Sequence, residues 1–403
     1  MTLLRQTILS GIVGPTRDAF GLMRTSQAKR LVDERASAAA PTGQALLSGG
    51  ATQNKQTDKA SFALATGGSI GGKAIRQTRT RGIYHSGQSH ECKITFTMAA
   101  PAAGIRQRVG IFDDQDGLFL EANGTALRFV VRSYVTGSAV DTVIEQAAWD
   151  DPMDGTGASG VTLDLSKAQI LRIDYQWLGV GSVRFGFAID GATIIAHETK
   201  WANVGVGVYM SNPNLPGRWE IEDVSAGVDT TLEAICCEIA TEGRGQPAGI
   251  PIAYDNDGVG RSVTNAQYGE LLAIRLDAGG VKIANVRPRS LGILNSTGGN
   301  FLWELWLNGG GTTGGTWSSP SSSYCEMSVD RTMPTTGYTS GVKIASGYGS
   351  AALNAAASEL FPELFSLGYD IGSATADILS VAVYNLATSS DTFYAALAVD
   401  NQA

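Results

Sequence analysis

Four stretches of this chain have residue types and spacings that could do chemistry. GGSIGGKA, residues 67–74, has the Gly-x4-Gly-Lys skeleton that cradles phosphates. Its next residue is Ala74, so the hydroxyl that would hold magnesium is missing, and no long helix is expected to follow. The same loop holds a Gly-x-Ser-x-Gly match around Ser69. A nucleophile elbow needs a strand before the serine and a helix after it; a basic, polar stretch follows here instead. FDDQDG (112–117) and AYDNDG (253–258) look like calcium loops until aligned on their glycine. Position one is then Phe112 or Ala253, and position twelve is Asn123 or Thr264 where a bidentate Glu is needed. Asp and Asn before Gly are ordinary turn formers, so both stretches read as turns. His85, His90 and Cys92 lie close in sequence and could supply three metal ligands, but no second half-site follows. His197 sits in an alternating strand and reads as a wall residue. The expectation is therefore no catalytic residues, no cofactor and no metal.

The elements that position these residues are β-strands. The chain has 403 residues, 50 of them glycine, and only 17% charged. Its length favours two domains, each able to bury its own core. From residue 61 onward, short β-branched or aromatic runs are separated by Gly, Asp and Asn. Leu127, Phe129 and Val131 alternate with Arg128, Val130 and Arg132, the period of a half-buried strand. Asn123-Gly124 and Asp190-Gly191 mark tight hairpins. The pattern predicts an N-terminal arm over 1–60, an antiparallel β-sandwich or lipocalin-like barrel over 61–245, and a second β-rich domain over 246–403. One short helix is expected at 350–365, where Ala-rich sequence runs to Pro362.

The arm is predicted because its apolar clusters (Leu3–Leu4, Ile8–Leu9, Ile12–Val13) are broken by Gly11, Gly14 and Pro15. It carries Arg5, Arg17, Arg24, Lys29, Arg30 and Arg35 against Asp18, Asp33 and Glu34, so Arg5, Arg17, Arg24, Lys29 and Arg30 are candidate docking residues for an acidic partner. A second basic run extends from Lys73 to Arg81. Solvated charge on a flexible segment explains both equally well. The net charge of -8 argues against non-specific nucleic-acid binding. No stretch reaches the ~18 apolar residues of a membrane span, and MTLLRQTILSGIVG is too short and weakly apolar for a secretory signal.

The four cysteines, Cys92, Cys236, Cys237 and Cys325, form no C-x-x-C pair. Burial as small apolar residues competes with a disulfide or crosslink outside a reducing cytoplasm. Cys325, in SSSYCEMS, is expected to be exposed. Adjacent Cys236 and Cys237 should face opposite sides of a strand. Of the tryptophans, Trp177 and Trp303 are expected in cores, while others beside Asn and Asp could stack on sugar rings.

The stretch from Arg106 to Ile221 resembles a family of tailed-bacteriophage virion proteins. The matching pieces are VGIFDDQDGLFLEANGTALRFVVRSYVTG, AAWDDPMDGTGASGVTLDLSKAQILRIDYQWLGVGSVRFGFAIDG and VYMSNPNLPGRWEI, with TRDAFGLMRTS at 16–26 like the family's N-terminal lead. The resemblance implies a structural component of the neck, collar, tail, baseplate or capsid surface, with no enzymatic activity. Its partners would be other virion proteins and copies of itself in a symmetric homo-oligomer, assembled in the host cytoplasm. The alternative is a fibre-like appendage module that binds a receptor or host surface glycan. The segment after Pro247 matches nothing recognisable.

Overall fold

The computed structural model describes residues 28–37, 43–178, 180–205, 207–242, 250–256, 258–277, 285–319, 325–350, 355–358, 367–371 and 375–402. The chain is almost entirely antiparallel β-sheet and divides into two units, 1–246 and 247–403.

The first unit is built on two sheets. One runs, in spatial order, Ala192–Lys200, Ser182–Ile189, Gln169–Tyr175, His90–Thr97, Thr231–Thr241, Ser61–Ala65, Thr52–Gln56, with Lys29–Arg35 also pairing along Thr231–Thr241. The other runs Val140–Glu145, Ala126–Ser133, Gly117–Asn123, Ile105–Phe112, Gly217–Asp223, Lys73–Thr78, Gly43–Ser48. Alternation places Ile94, Phe96, Ile173 and Phe185 of the first sheet in one core with Val109, Leu120, Phe129 and Trp219 of the second. Neither sheet closes on itself, so the sandwich is formed and the barrel is not. Asp190 and Gly191 both have positive φ (49° and 80°) in a two-residue hairpin loop between Ile189 and Ala192. That conformation matches the right-handed strand twist and explains the Asp-Gly choice.

The second unit also has two sheets. The first runs Ile250–Asp255, Asp391–Gln402, Asn285–Asn295, Ala355–Ser358, with Arg261–Val263 pairing Asp391–Gln402 as well. The second runs Cys325–Ser328, Tyr268–Leu276, Ile378–Asn385, Phe301–Leu307, Val342–Gly349. Leu272, Ile274, Leu305, Val381, Phe393 and Leu397 meet in its core.

Two expectations are corrected. The helix at 350–365 is not formed where it is described: Ala355–Ser358 pairs as a strand with Ser290–Ile293. Alanine's helix preference is a few tenths of a kcal/mol per residue, easily overridden by sheet pairing. The rest of that span, apart from Ser350, lies outside the described residues. The arm does not extend to residue 60 either. Lys29–Arg35, Gly43–Ser48 and Thr52–Gln56 are sheet strands, and Leu31 and Val32 are buried in the first core.

Candidate functional site

The loops that resembled reactive motifs are turns with their polar atoms used internally. Gly67 donates its N–H to the Asp229 carboxylate, so an anion already occupies the loop, and a strand (Lys73–Thr78) follows rather than a helix. Asp116 is fully buried and accepts hydrogen bonds from the Tyr134 and Ser211 N–H groups and the Ser211 hydroxyl. Asp113 pairs with Arg81 at 2.8 Å. Burial alone would raise its pKa, but Arg81 and two backbone N–H groups hold the carboxyl below its usual range. Asn256 spends its amide on backbone carbonyls. Among the described residues no group of three or more His, Cys, Asp or Glu is arranged to hold a metal. His90 is instead an aromatic-core residue. Its ring stacks on Tyr84 at 4.9 Å and lies 5.7 Å from Tyr175, with Nε2 2.9 Å from the Ile83 carbonyl.

None of the four cysteines is in a disulfide. Cys92 and Cys237 sit on neighbouring strands with their sulfurs 3.9 Å apart, well beyond the ~2.05 Å of a disulfide. Cys236 points to the opposite face, half-buried, and donates to the Thr95 hydroxyl at 3.2 Å. Cys325, expected at the surface, is fully buried in the second core. Its residue lies on a strand whose alternation turns it inward, and burial pushes its thiol up to about 12.

Of the candidate docking residues, Arg5, Arg17 and Arg24 lie outside the described residues. Arg30 is half exposed and binds Glu238 at 2.9 Å and Asp33 at 3.0 Å. Lys29 begins the same strand. Arg30, Asp33, Lys93, Glu238, Cys236 and Cys237 are among the residues lining an open cleft of about 490 Å³, which brings one predicted docking residue beside two predicted crosslinking residues.

The densest array of ionisable groups lies elsewhere, on the outer face of the seven-stranded sheet. Glu220, Arg108, Glu121, Arg128 and Glu145 occupy one cross-strand row over five adjacent strands, alternating in sign. Successive contacts are 3.2, 2.6, 2.6 and 3.5 Å. Lys73 and Arg218 bind Glu220 from the sides, and Arg132 binds Asp141. Phe112, Phe119 and Val130 form a small buried cluster among these charges, with the guanidinium groups of Arg218, Arg108 and Arg132 5.1–5.6 Å from the phenyl rings. Gly110 makes room: a Cβ there would lie 2.3 Å from the Leu118 carbonyl and 2.7 Å from the Phe119 side chain. Glu220 and Glu121 share Arg108 in this row, and a glycan-cleaving enzyme also uses two carboxylates. The electrostatics of Glu220 do not suit the proton-donor half of such a pair. Burial opposes the charge on Glu220, but Arg218, Lys73 and Arg108 outweigh it and bring its pKa to about 2. A general acid must hold its proton near working pH, and Glu220 does not.

The tryptophans divide. Trp149, Trp219 and Trp303 are core residues, and Trp177 and Trp201 pack half-buried against the first core. In the second unit, Trp306 lies half-buried on the outer face of the sheet that contains Phe301–Leu307, 5.3 Å from the Tyr338 ring, and donates its indole N–H to Glu304. Lys343 also binds Glu304. Beside them, Tyr268, Tyr384, Leu302 and Tyr348 occupy one row across four adjacent strands. The Tyr268 and Tyr384 rings are 4.8 Å apart, and Tyr348 is 77% exposed.

No known family model matches this chain, and no curated protein does. Solved structures with similar coordinates include the receptor-binding domain of botulinum neurotoxin D (TM-score 0.34, 11% identity, 54% of this chain and 50% of that one). A protein of unknown function from Shewanella oneidensis MR-1 aligns with TM-score 0.36 and 9% identity over 61% of this chain and 98% of its own. The Emp47p carbohydrate recognition domain aligns with TM-score 0.32 and 10% identity over 54% of this chain and 98% of its own. The chain spans about half the length of the toxin domains it matches.

Proposed function

We propose that this protein is non-catalytic and works by surface contact, as a structural component of a tailed bacteriophage particle. It would be assembled in the host cytoplasm and dock on other virion proteins as a homo-oligomer. The observation that carries the reading is the neutralised charge ladder. Each carboxylate in it is countered by at least one cation, so the face is a cross-braced surface rather than a reactive one. Cross-strand pairs of opposite charge fix sheet register, which suits a part that must hold its shape. The whole ladder lies within the stretch, Arg106 to Ile221, that resembles phage virion proteins. Purified particles should contain the chain at a fixed copy number by quantitative mass spectrometry, and a whole-particle reconstruction should show its two β units. Absence from washed particles, or turnover of ATP or host polysaccharides that disappears with Glu220→Gln, refutes it.

A second reading is a receptor- or glycan-binding appendage module. The observation favouring it is the tyrosine row on the second unit, where Tyr268 and Tyr384 are half-buried and Tyr348 is exposed at the sheet edge.

A further inference from the structure

We propose that the row Tyr268, Tyr384, Leu302 and Tyr348 in the second unit is a binding platform for a neutral polysaccharide strand. The proposal rests on the glycan-binding reading and gives it a location and a ligand class.

Register puts these four side chains on one face. Their sequence neighbours Val383 and Trp303 belong to the core, so Tyr384 and Leu302 must point outward. Tyr268 pairs with Tyr384, Tyr384 with Leu302, and Leu302 with Tyr348. With strands about 4.8 Å apart, the row extends about 14 Å, long enough to seat a short run of sugar rings.

Val342–Gly349 is at the edge of its sheet, and its sequence turns Tyr348 outward there. A Cβ on Gly347 would lie 2.8 Å from the Trp303 ring, and one on Gly349 would lie 2.3 Å from the Phe301 ring. The core aromatics therefore press directly on this strand's backbone, and its one aromatic side chain, Tyr348, faces solvent.

The chemistry selects the ligand. A pyranose has an apolar C–H face and a rim of hydroxyls, so it needs a flat ring to lie on and polar groups at the edge. Three of the four row residues are tyrosines, which supply both. In the next row lie Glu270, Ala382, Glu304 and Ser346, of which the first three are buried and Ser346 is exposed. Glu304 is held by Trp306 and Lys343, so the carboxylate is already countered and adds no net charge. Burial, then the nearby Glu304 carboxylate, raises the Tyr268 phenol, which stays a hydroxyl donor at neutral pH. With Lys343 paired, the row has no cation to spare for phosphates or uronates, and a neutral glycan fits best.

The test uses the full chain and soluble linear oligosaccharides of glucose, mannose and galactose, read by saturation-transfer NMR and titration calorimetry. Tyr348 is exposed, so Tyr348→Ala should leave the melting curve unchanged. At least one oligosaccharide should bind, Tyr348→Ala should weaken it about five- to tenfold, and Tyr348→Phe should retain more of the affinity. Adding Tyr384→Ala should abolish detectable binding. Binding that is indifferent to both alanine variants overturns the platform and leaves the glycan reading standing. No binding to any of the oligosaccharides overturns both.

Discussion

His90 should make the first unit acid-sensitive well above the range where carboxylates titrate. Its ring is fully buried among Tyr84, His85 and Tyr175. Burial is the largest influence on its pKa; the Ile83 carbonyl opposes it, and the result falls from 6.5 to about 4. The folded state thus resists a proton that the unfolded chain accepts below about pH 6.5. Stability is unaffected above that pH, falls as the pH drops through the window, and has lost its full share below about 4. At about 1.4 kcal/mol per pKa unit, the full share is about 3 kcal/mol, and about 2 kcal/mol of it should be gone by pH 5. Glu220, held at about 2, contributes its own loss only at lower pH.

The assay is a series of urea titrations between pH 7.5 and 5 on the full chain and on His90→Gln. The variant should be less stable at pH 7.5, because it loses the ring packing. Its midpoint should vary much less with pH than the wild type's. His85 and His197 are present in both proteins, so the difference in slope isolates His90. Equal slopes refute the reasoning, as would an NMR titration showing the His90 ring protonating near 6.5 in the folded protein.

Three further outcomes follow from the packing. Glu220→Gln leaves Arg218 with Asp114 and Arg108 with Glu121 as remaining countercharges, and should cost about 1–3 kcal/mol, measured as a loss in unfolding free energy; no change would mean that the ladder is decorative. Native thiol titration should label Cys236 quickly and the other three only after unfolding. Cys92 and Cys325 are fully buried, and Cys237's thiol is raised well above its usual value by its contact with Cys92 and by burial; a fast second equivalent contradicts this. Gly43–Ser48 (GQALLS) is an edge strand with no charge or proline, and with Leu46 and Leu47 over 40% exposed. Such an edge invites pairing with a second copy, so Leu47→Glu should shift sedimentation towards monomer. An unchanged oligomer excludes that edge.

What could be read in the sequence was local. Asp190-Gly191 specifies its hairpin because both residues of that two-residue turn have positive φ, while at Asn123-Gly124 the loop is Gly124-Thr125 and only Gly124 has positive φ; the strands follow from two-residue alternation. What could not be read depends on strand order. Arg30 looked like a free docking cation because its partner, Glu238, is 208 residues away. Arg108 and Glu220 are 112 residues apart and meet only because Gly217–Asp223 inserts beside Ile105–Phe112. Cys325 departs from its sequence surroundings for a similar reason: the loop before it is polar, but its strand's inward face is set by pairing with Tyr268–Leu276. One signal for the ladder was nevertheless present. Arg106 and Arg108, Arg128 and Arg132, and Glu220 and Glu222 recur at even spacings on strands whose intervening residues are mostly apolar. Charges at that period share one sheet face, and a packed sheet must counter them from its neighbours. The alternation therefore requires that complementary strands lie side by side, and it restricts the strand orders this sequence can adopt even though it does not name one.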